Sequence, residues 1–336
     1  MAHFIFPFSI IFFSLVSGYA FNRAIEIGLV HMSVGAAEKL RRGMQKFAML
    51  AVNPVAFCGA VWVIDLSENR YFMLPFIGLS ALATGLLLGI AGKRLLVLPP
   101  ARAGVYAASG SFTNIGNIGG LVVFLLLGEA AFALLPFYKL FEELWYYSVI
   151  FPMSRAYGER ANPDSTRDRG RPGRLAGALR VVRDPFLLVA LSAVVLGLGL
   201  NASGVVRPAF YGRLNSILVP FSSFLLLFAI GMRMKFRIPR RDRKPAIILS
   251  VGKVTVVPFV ATGIALLLGL GHTAGGLGLK VVMVLAAMPV GFLSLVPPAL
   301  YDLDQDFAGS IWLTSNAAVL VVTPVLAIIL NSGLFS

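Results

Sequence analysis

The sequence predicts an all-α polytopic membrane protein in which ten transmembrane helices form two inverted five-helix repeats, with helices 4 and 9 crossed and broken. Three observations predict it. First, 58% of the 336 residues are hydrophobic and only 13% are charged, and the mean hydropathy is +0.84, far above a soluble domain. This composition excludes a soluble enzyme. Second, ten apolar stretches approach the roughly 20 helical residues that cross a hydrocarbon core of about 30 Å. Third, a basic segment rich in proline and glycine near the middle, including Asn162-Pro163-Asp164 and Gly170-Arg171-Pro172-Gly173, leaves five stretches on each side. An odd number per half puts the halves in opposite orientation, a secondary-transporter architecture with its site at the midplane where the halves meet. The expected organisation is a first repeat over 1–153, a cytoplasmic basic linker over 154–183 and a second repeat over 184–336.

The stretches lie at 3–22, 44–64, 71–91, 102–127, 130–152, 185–200, 214–232, 246–270, 277–300 and 308–330. No basic residue precedes the apolar run of the first, so it reads as a retained span rather than a cleaved signal. The charge balance, 29 Lys and Arg against 15 Asp and Glu, gives +14. In a polar chain this suggests a nucleic-acid binder, but here the bases alternate with the loops. Twenty-three of the 29 fall in segments 23–46, 93–102, 155–183 and 233–244, while the opposite loops hold Arg70, Arg207 and Arg213. Basic loops stay cytoplasmic, which places both termini outside an inner cell membrane and the centre inside, with no nucleic-acid partner. Docking of a basic loop on anionic lipid or protein is the other reading. One cysteine, Cys58, leaves no intramolecular disulfide or cysteine metal cluster, and His3, His31 and His272 are too scattered for a metal site. Neither a metal nor a cofactor is expected.

The fourth stretch carries Thr113, Asn114, Gly116, Asn117, Gly119 and Gly120 inside an apolar run. Glycine costs a helix interior about 1 kcal/mol relative to alanine, and freed backbone groups in hydrocarbon cost more unless they are buried in protein or line a cavity. The ninth, its counterpart in the second half, carries Pro289, Gly291, Ser294, Pro297 and Pro298, and proline removes a helical hydrogen bond. Matched broken helices point to a transport site; glycine packing with a proline kink is the alternative. The second stretch adds Asn53 and Pro54, with Pro220, Ser222 and Ser223 in the seventh as candidates for the same wall.

Charge inside the fifth stretch is costly, roughly 2.5–3.5 kcal/mol per ionised group at bilayer centre. Lys139 and Glu143 are spaced for an i,i+4 pair with Tyr146 on the same face, which leaves Glu142 as the candidate proton or cation carrier. A buried ion-pair cluster that only fixes packing is the competing reading. Lys253 and Lys280 read as snorkelling from span ends, and Asp302, Asp304 and Asp306 as a solvated loop.

Several motifs together resemble the auxin efflux carrier family of the bile/arsenite/riboflavin transporter superfamily. They are Gly18-Tyr19 followed by Arg23, Leu40 before Pro54-Val55-Ala56-Phe57, Asn114-Ile115-Gly116-Asn117-Ile118-Gly119 followed by Gly128-Glu129, Gly231 after an apolar run, Lys253 before Pro258, Ala287-Met288-Pro289, and Tyr301 to Asp306 before a last span with Pro324. The resemblance runs nearly end to end. It implies a scaffold of helices 1, 2, 6 and 7, a mobile core of helices 3–5 and 8–10, and elevator-like secondary transport of small organic anions, often as a homodimer. Leu121 stands near an expected proline, Leu293 at an expected asparagine and Asn316 near a usual threonine. The Lys139, Glu142, Glu143 pattern is not one of the family's. These departures imply a substrate and ion site of its own.

The leading expectation is therefore a carrier of a small anion such as a carboxylate, with H+ or Na+ as coupling ion. Backbone amides at the broken fourth helix would hold carboxylate oxygens, oriented by Asn53, Asn114 and Asn117. The alternatives are a sodium-coupled bile-acid-type symporter, a membrane-embedded enzyme using Glu142, Glu143 and the aspartates, and a non-transporting receptor. Neither a nucleophile–base pair nor a metal-ligand set supports the enzyme.

Overall fold

The computed structural model describes residues 2–65, 69–163, 185–234, 238–272 and 274–332. Among them every regular element is helical. Among the described residues, six helices are long and apolar enough to cross a membrane: Val34–Val61, Asn69–Leu95, Pro100–Leu127, Phe210–Gly231, Arg240–Leu267 and Gln305–Asn331. The part of the expected 154–183 linker from 164 onward, with its arginines from Arg167 to Arg183, lies outside the described residues. The chain divides into two compact units, one of Met1–Ser67, Gly116–Pro136 and Asp184–Lys235, the other of Glu68–Ile115, Phe137–Arg183 and Phe236–Ser336.

The first unit contains α1 (Ala2–Glu26), α2 (Val34–Val61), α5 (Gly120–Leu127), most of α6 (Glu129–Tyr138), α9 (Pro185–Ala202) and α10 (Phe210–Gly231). Helix α2 begins ten residues ahead of its apolar stretch because Ser33 caps it, accepting from the Ala36 amide at 3.2 Å. Its first turns are polar, with Glu38 bridging Arg41 and Arg42. The helix widens to a π-turn over Ala48–Val52, directly before Asn53-Pro54. Proline has no amide to donate and its ring crowds the carbonyl four residues back, so the hydrogen-bond ladder shifts there. A second π-turn, Tyr146–Ile150, precedes Pro152 in the same way. Helices α1 and α10 cross backbone to backbone, since a Cβ at Gly18 would overlap the Phe228 carbonyl and one at Gly231 the Leu15 carbonyl. Gly128, at φ 83° and ψ −172°, separates α5 from α6 in a conformation only glycine adopts readily.

The second unit contains α3 (Leu74–Leu95), α4 (Pro100–Ser111), α7 (Glu142–Trp145), α8 (Phe151–Ala161), α11 (Arg240–Leu267), α12 (Leu277–Ala286), α13 (Val296–Leu300), α14 (Gln305–Ala317) and α15 (Val319–Asn331). Helix α11 packs against α3, α12 and α14, and α4 packs against α3 and α8. The fifth apolar stretch is not one helix: a turn at 139–141 separates α6 from α7. Helix α8 also runs eight residues into the expected linker, to Ala161. Asp304, read from the sequence as solvated loop, caps α14 by accepting from the Phe307 amide at 2.9 Å.

Candidate functional site

Helix α4 stops at Ser111, where Phe112 turns extended (φ −60°, ψ 127°), and the chain stays non-helical to Asn114. Helix α12 stops at Ala286, and residues 288–291 are also non-helical. The two breaks satisfy each other. The Asn114 amide donates to the Pro289 carbonyl at 2.8 Å and the Gly291 amide to the Phe112 carbonyl at 3.3 Å, an antiparallel exchange of the kind that joins strands. Backbone groups that hydrocarbon would leave orphaned are thus paired. Gly291 permits the approach, because a Cβ there would meet the Thr113 carbonyl oxygen at 2.7 Å. From behind, the Val290 amide donates to Ser315 Oγ at 3.0 Å, and Asn316 Nδ2 donates to the Val290 carbonyl at 3.0 Å. Ser294, one turn onward, is 1% exposed, and among the described residues its hydroxyl has no hydrogen-bond partner.

Thr113 sits where three polar elements converge. Its amide donates to Tyr146 Oη at 3.0 Å, and Tyr146 donates to Glu142 Oε1 at 3.0 Å. Glu142, 5% exposed, forms an ion pair with Lys139 at 3.2 Å. This corrects the i,i+4 expectation, since the turn at 139–141 removes the helix on which that spacing was counted. Two of the amides at the broken fourth helix are already engaged, those of Thr113 and Asn114, by Tyr146 and Pro289. What lies on the other side of Thr113 is Lys253, whose Nζ donates to Thr113 Oγ1 at 2.9 Å and to the Gly110 carbonyl at 2.8 Å. Lys253 is 1% exposed in the middle of the 28-residue α11, so it does not snorkel. The signal available in the sequence was depth, since Lys253 lies eight residues inside an apolar stretch and close to no interface.

Of the residues singled out by sequence, Thr113, Asn114, Lys139, Glu142, Glu143, Pro289, Gly291 and Ser294 belong to this unit. Asn53, Pro54, Gly116, Asn117, Gly119 and Gly120 belong to the other. There Asn53 Oδ1 accepts from Ser222 Oγ at 2.5 Å, so the polar groups expected on the second and seventh stretches do meet. Gly116, Asn117 and Gly119 form a π-turn over Ile115–Gly119, and Gly120 packs closely on Phe132 and Leu135. The same unit holds a network that sequence reading missed. Glu129 is gripped by both guanidinium nitrogens of Arg207 and by Asn215 Nδ2 at 2.6 Å. Arg207 also donates to the Gly59 carbonyl at 2.7 Å, and Asn215 to the Ala56 carbonyl at 3.1 Å. These are carbonyls at the C-terminal end of α2, where a cation is favoured.

No protein-family model matches the chain. Over 154 residues, 45% of its length, it is 27% identical to an uncharacterized transporter of Methanothermobacter thermautotrophicus. The match covers 48% of that protein, so the chain spans about half the length of the curated relative it matches. This likeness and the six long apolar helices fit a membrane transporter.

Proposed function

We propose that the protein is a secondary carrier of a small organic anion such as a carboxylate, of the auxin efflux carrier type. One observation carries the reading. Lys253 is a buried ammonium whose partners are a neutral carbonyl and a neutral hydroxyl, placed where two broken helices pair. A charge so buried costs several kcal/mol unless it is compensated, and an anionic substrate arriving at the break supplies the compensating charge. Ser294, buried with its hydroxyl unspent, offers that substrate a neutral hydrogen bond. Asn53, Pro54, Gly116 and Asn117 are proposed as further substrate-binding residues, and Gly119 and Gly120 to shape the turn.

The division of the chain supports an elevator-like arrangement. The first unit collects the predicted helices 1, 2, 6 and 7 with the second half of 4 and the start of 5, the second the predicted helices 3, 8, 9 and 10 with the first half of 4 and the rest of 5. A scaffold and core in two inverted repeats, ten spans, both termini outside an inner membrane and a homodimer complete the proposal. Purified protein reconstituted into sealed proteoliposomes should accumulate one member of a radiolabelled panel of small carboxylates under an imposed gradient. Binding without transmembrane movement for every member would sink the carrier reading in favour of a receptor.

Glu142 is proposed as the proton-coupling group, with Lys139, Glu143 and Tyr146 around it. Replacing Glu142 by Gln should abolish acceleration of uptake by an inward proton gradient while leaving exchange at equal pH. Unchanged pH dependence would remove Glu142 from the coupling step.

A further inference from the structure

The first turns of helix α2 present two different faces. Ala37, Arg41 and Ala48 are buried, and Met44 packs with Ala48 against Leu225 and Leu226 of α10. On the other face Lys39, Arg42 and Lys46 recur at i, i+3 and i+7, and all three are exposed. Glu38 is the one acidic residue between Ser33 and Val61. It is shared by three guanidiniums, Arg41 and Arg42 at 2.7 Å and Arg233 at 3.9 Å, which leaves the cluster strongly positive. Among the described residues Lys39 and Lys46 make no ion pair or hydrogen bond. Between the two lysines stands Gly43, where a built Cβ would meet nothing within 4 Å, so the backbone there is bare. The stretch 44–64 rises about 31 Å at 1.5 Å per residue, close to the hydrocarbon thickness of about 30 Å. Residues 39–46 therefore enter the headgroup layer, and the exposed side chains beside and below them, Leu40, Phe47 and Met49, are apolar.

We propose that Lys39, Arg42 and Lys46 hold the phosphate of an anionic phospholipid, with Gly43 letting the headgroup reach between them and Leu40, Phe47 and Met49 lying along its acyl chains. A free anion would use the charges and leave the apolar flank unused, so the lipid is the occupant that fits both. The bound lipid fixes the depth of α2, whose π-turn over Ala48–Val52 and Asn53 follow directly below the basic turns. The proposal needs a bilayer and does not rest on the carrier reading.

The test is thermal unfolding of the full-length protein in neutral detergent, titrated with phosphatidylglycerol, phosphatidylcholine or inorganic phosphate. Wild type should be stabilised saturably by phosphatidylglycerol and by neither of the others. The double variant Lys39→Gln with Lys46→Gln should melt as wild type does without lipid, since both side chains are exposed. It should need roughly 25-fold more phosphatidylglycerol for half the effect, at roughly fivefold per basic group. Lys39→Arg with Lys46→Arg should keep the response, Gly43→Leu should weaken it, and Arg94→Gln, at an exposed base of the other unit, should leave it unchanged. Equal stabilisation by phosphatidylcholine, or an unshifted titration of the Gln double variant, would overturn the proposal. Saturable stabilisation by phosphate would overturn it in favour of a soluble anion. If the double variant does not fold, native mass spectrometry of wild type decides, and retention of phosphatidylglycerol no better than phosphatidylcholine from an equimolar mixture sinks the idea. None of these readouts requires transport, so a protein that moves no carboxylate yet binds the lipid separates failure of the carrier reading from failure of this one.

Discussion

Replacing Asp242 by alanine should destabilise the detergent-solubilised protein by about 3–5 kcal/mol, the loss expected when one partner of a buried ion pair is removed. Asp242 is 1% exposed in the first turn of α11, where the helix dipole favours an anion. It accepts from Arg102 Nη2 at 2.5 Å and from Ser310 Oγ at 3.1 Å, tying α4 and α14 to α11. The Arg102 guanidinium also lies 3.9 Å above the Phe307 ring, which stacks on Tyr106, and its Nε is 3.7 Å from Asp304. Without Asp242 the arginine keeps only that longer contact and the ring. Melting curves should show the loss for Asp242→Ala and almost none for Asp306→Ala, whose side chain is exposed. In the double variant Asp242→Ala with Arg102→Leu, the loss should be smaller than the sum of the single losses, because no stranded cation remains. A single-variant loss below about 1 kcal/mol would place the pair with exposed salt bridges and remove it from the fastening of the unit.

Asp242 shows why some of this architecture was legible in the sequence and some was not. Apolar length located the six helices long and apolar enough to cross a membrane, since hydrocarbon thickness sets a length that composition reveals. The breaks at 112–114 and 288–291 were legible too, because glycine and proline act through backbone chemistry that is local in sequence. The partner that each break found was not. Asn114 to Pro289 spans 175 positions, and nothing local says that one orphaned amide meets another orphaned carbonyl. The same holds for charges. Asp242 stands among Arg240, Arg241, Arg243 and Lys244 and reads as part of a basic loop, yet its partner is Arg102 on another helix. Glu129 and Arg207 were assigned to loops for the same reason. Lys253 was misread because the default for lysine in a membrane helix is to snorkel, and depth within the apolar run was the clue that outweighed it. The pairing of Lys139 with Glu142 depended on a turn at 139–141 that apolar composition did not signal.

The largest loss should come from Gly110. Replacing it by leucine should leave no folded protein recoverable in detergent, and alanine alone should cost about 1–3 kcal/mol, the range for overpacking. A Cβ at Gly110 would overlap the Gly85 carbonyl oxygen and one at Gly85 the Gly110 carbonyl oxygen, so α3 and α4 touch main chain to main chain. Neither obstacle is a flexible side-chain end that can swing away. Gly263, by contrast, lies inside α11 with nothing within 4 Å of a built Cβ. Gly263→Ala should be neutral or stabilising by up to about 1 kcal/mol through helix propensity, so glycine content alone does not predict the outcome. The position also bears on the site, because the Gly110 carbonyl that faces Gly85 is the one Lys253 holds at 2.8 Å. Moving α4 away from α3 to admit a methyl group shifts that oxygen relative to the ammonium. If Gly110→Ala melts normally, the bare main-chain contact at Gly110 does not set the approach of α3 and α4.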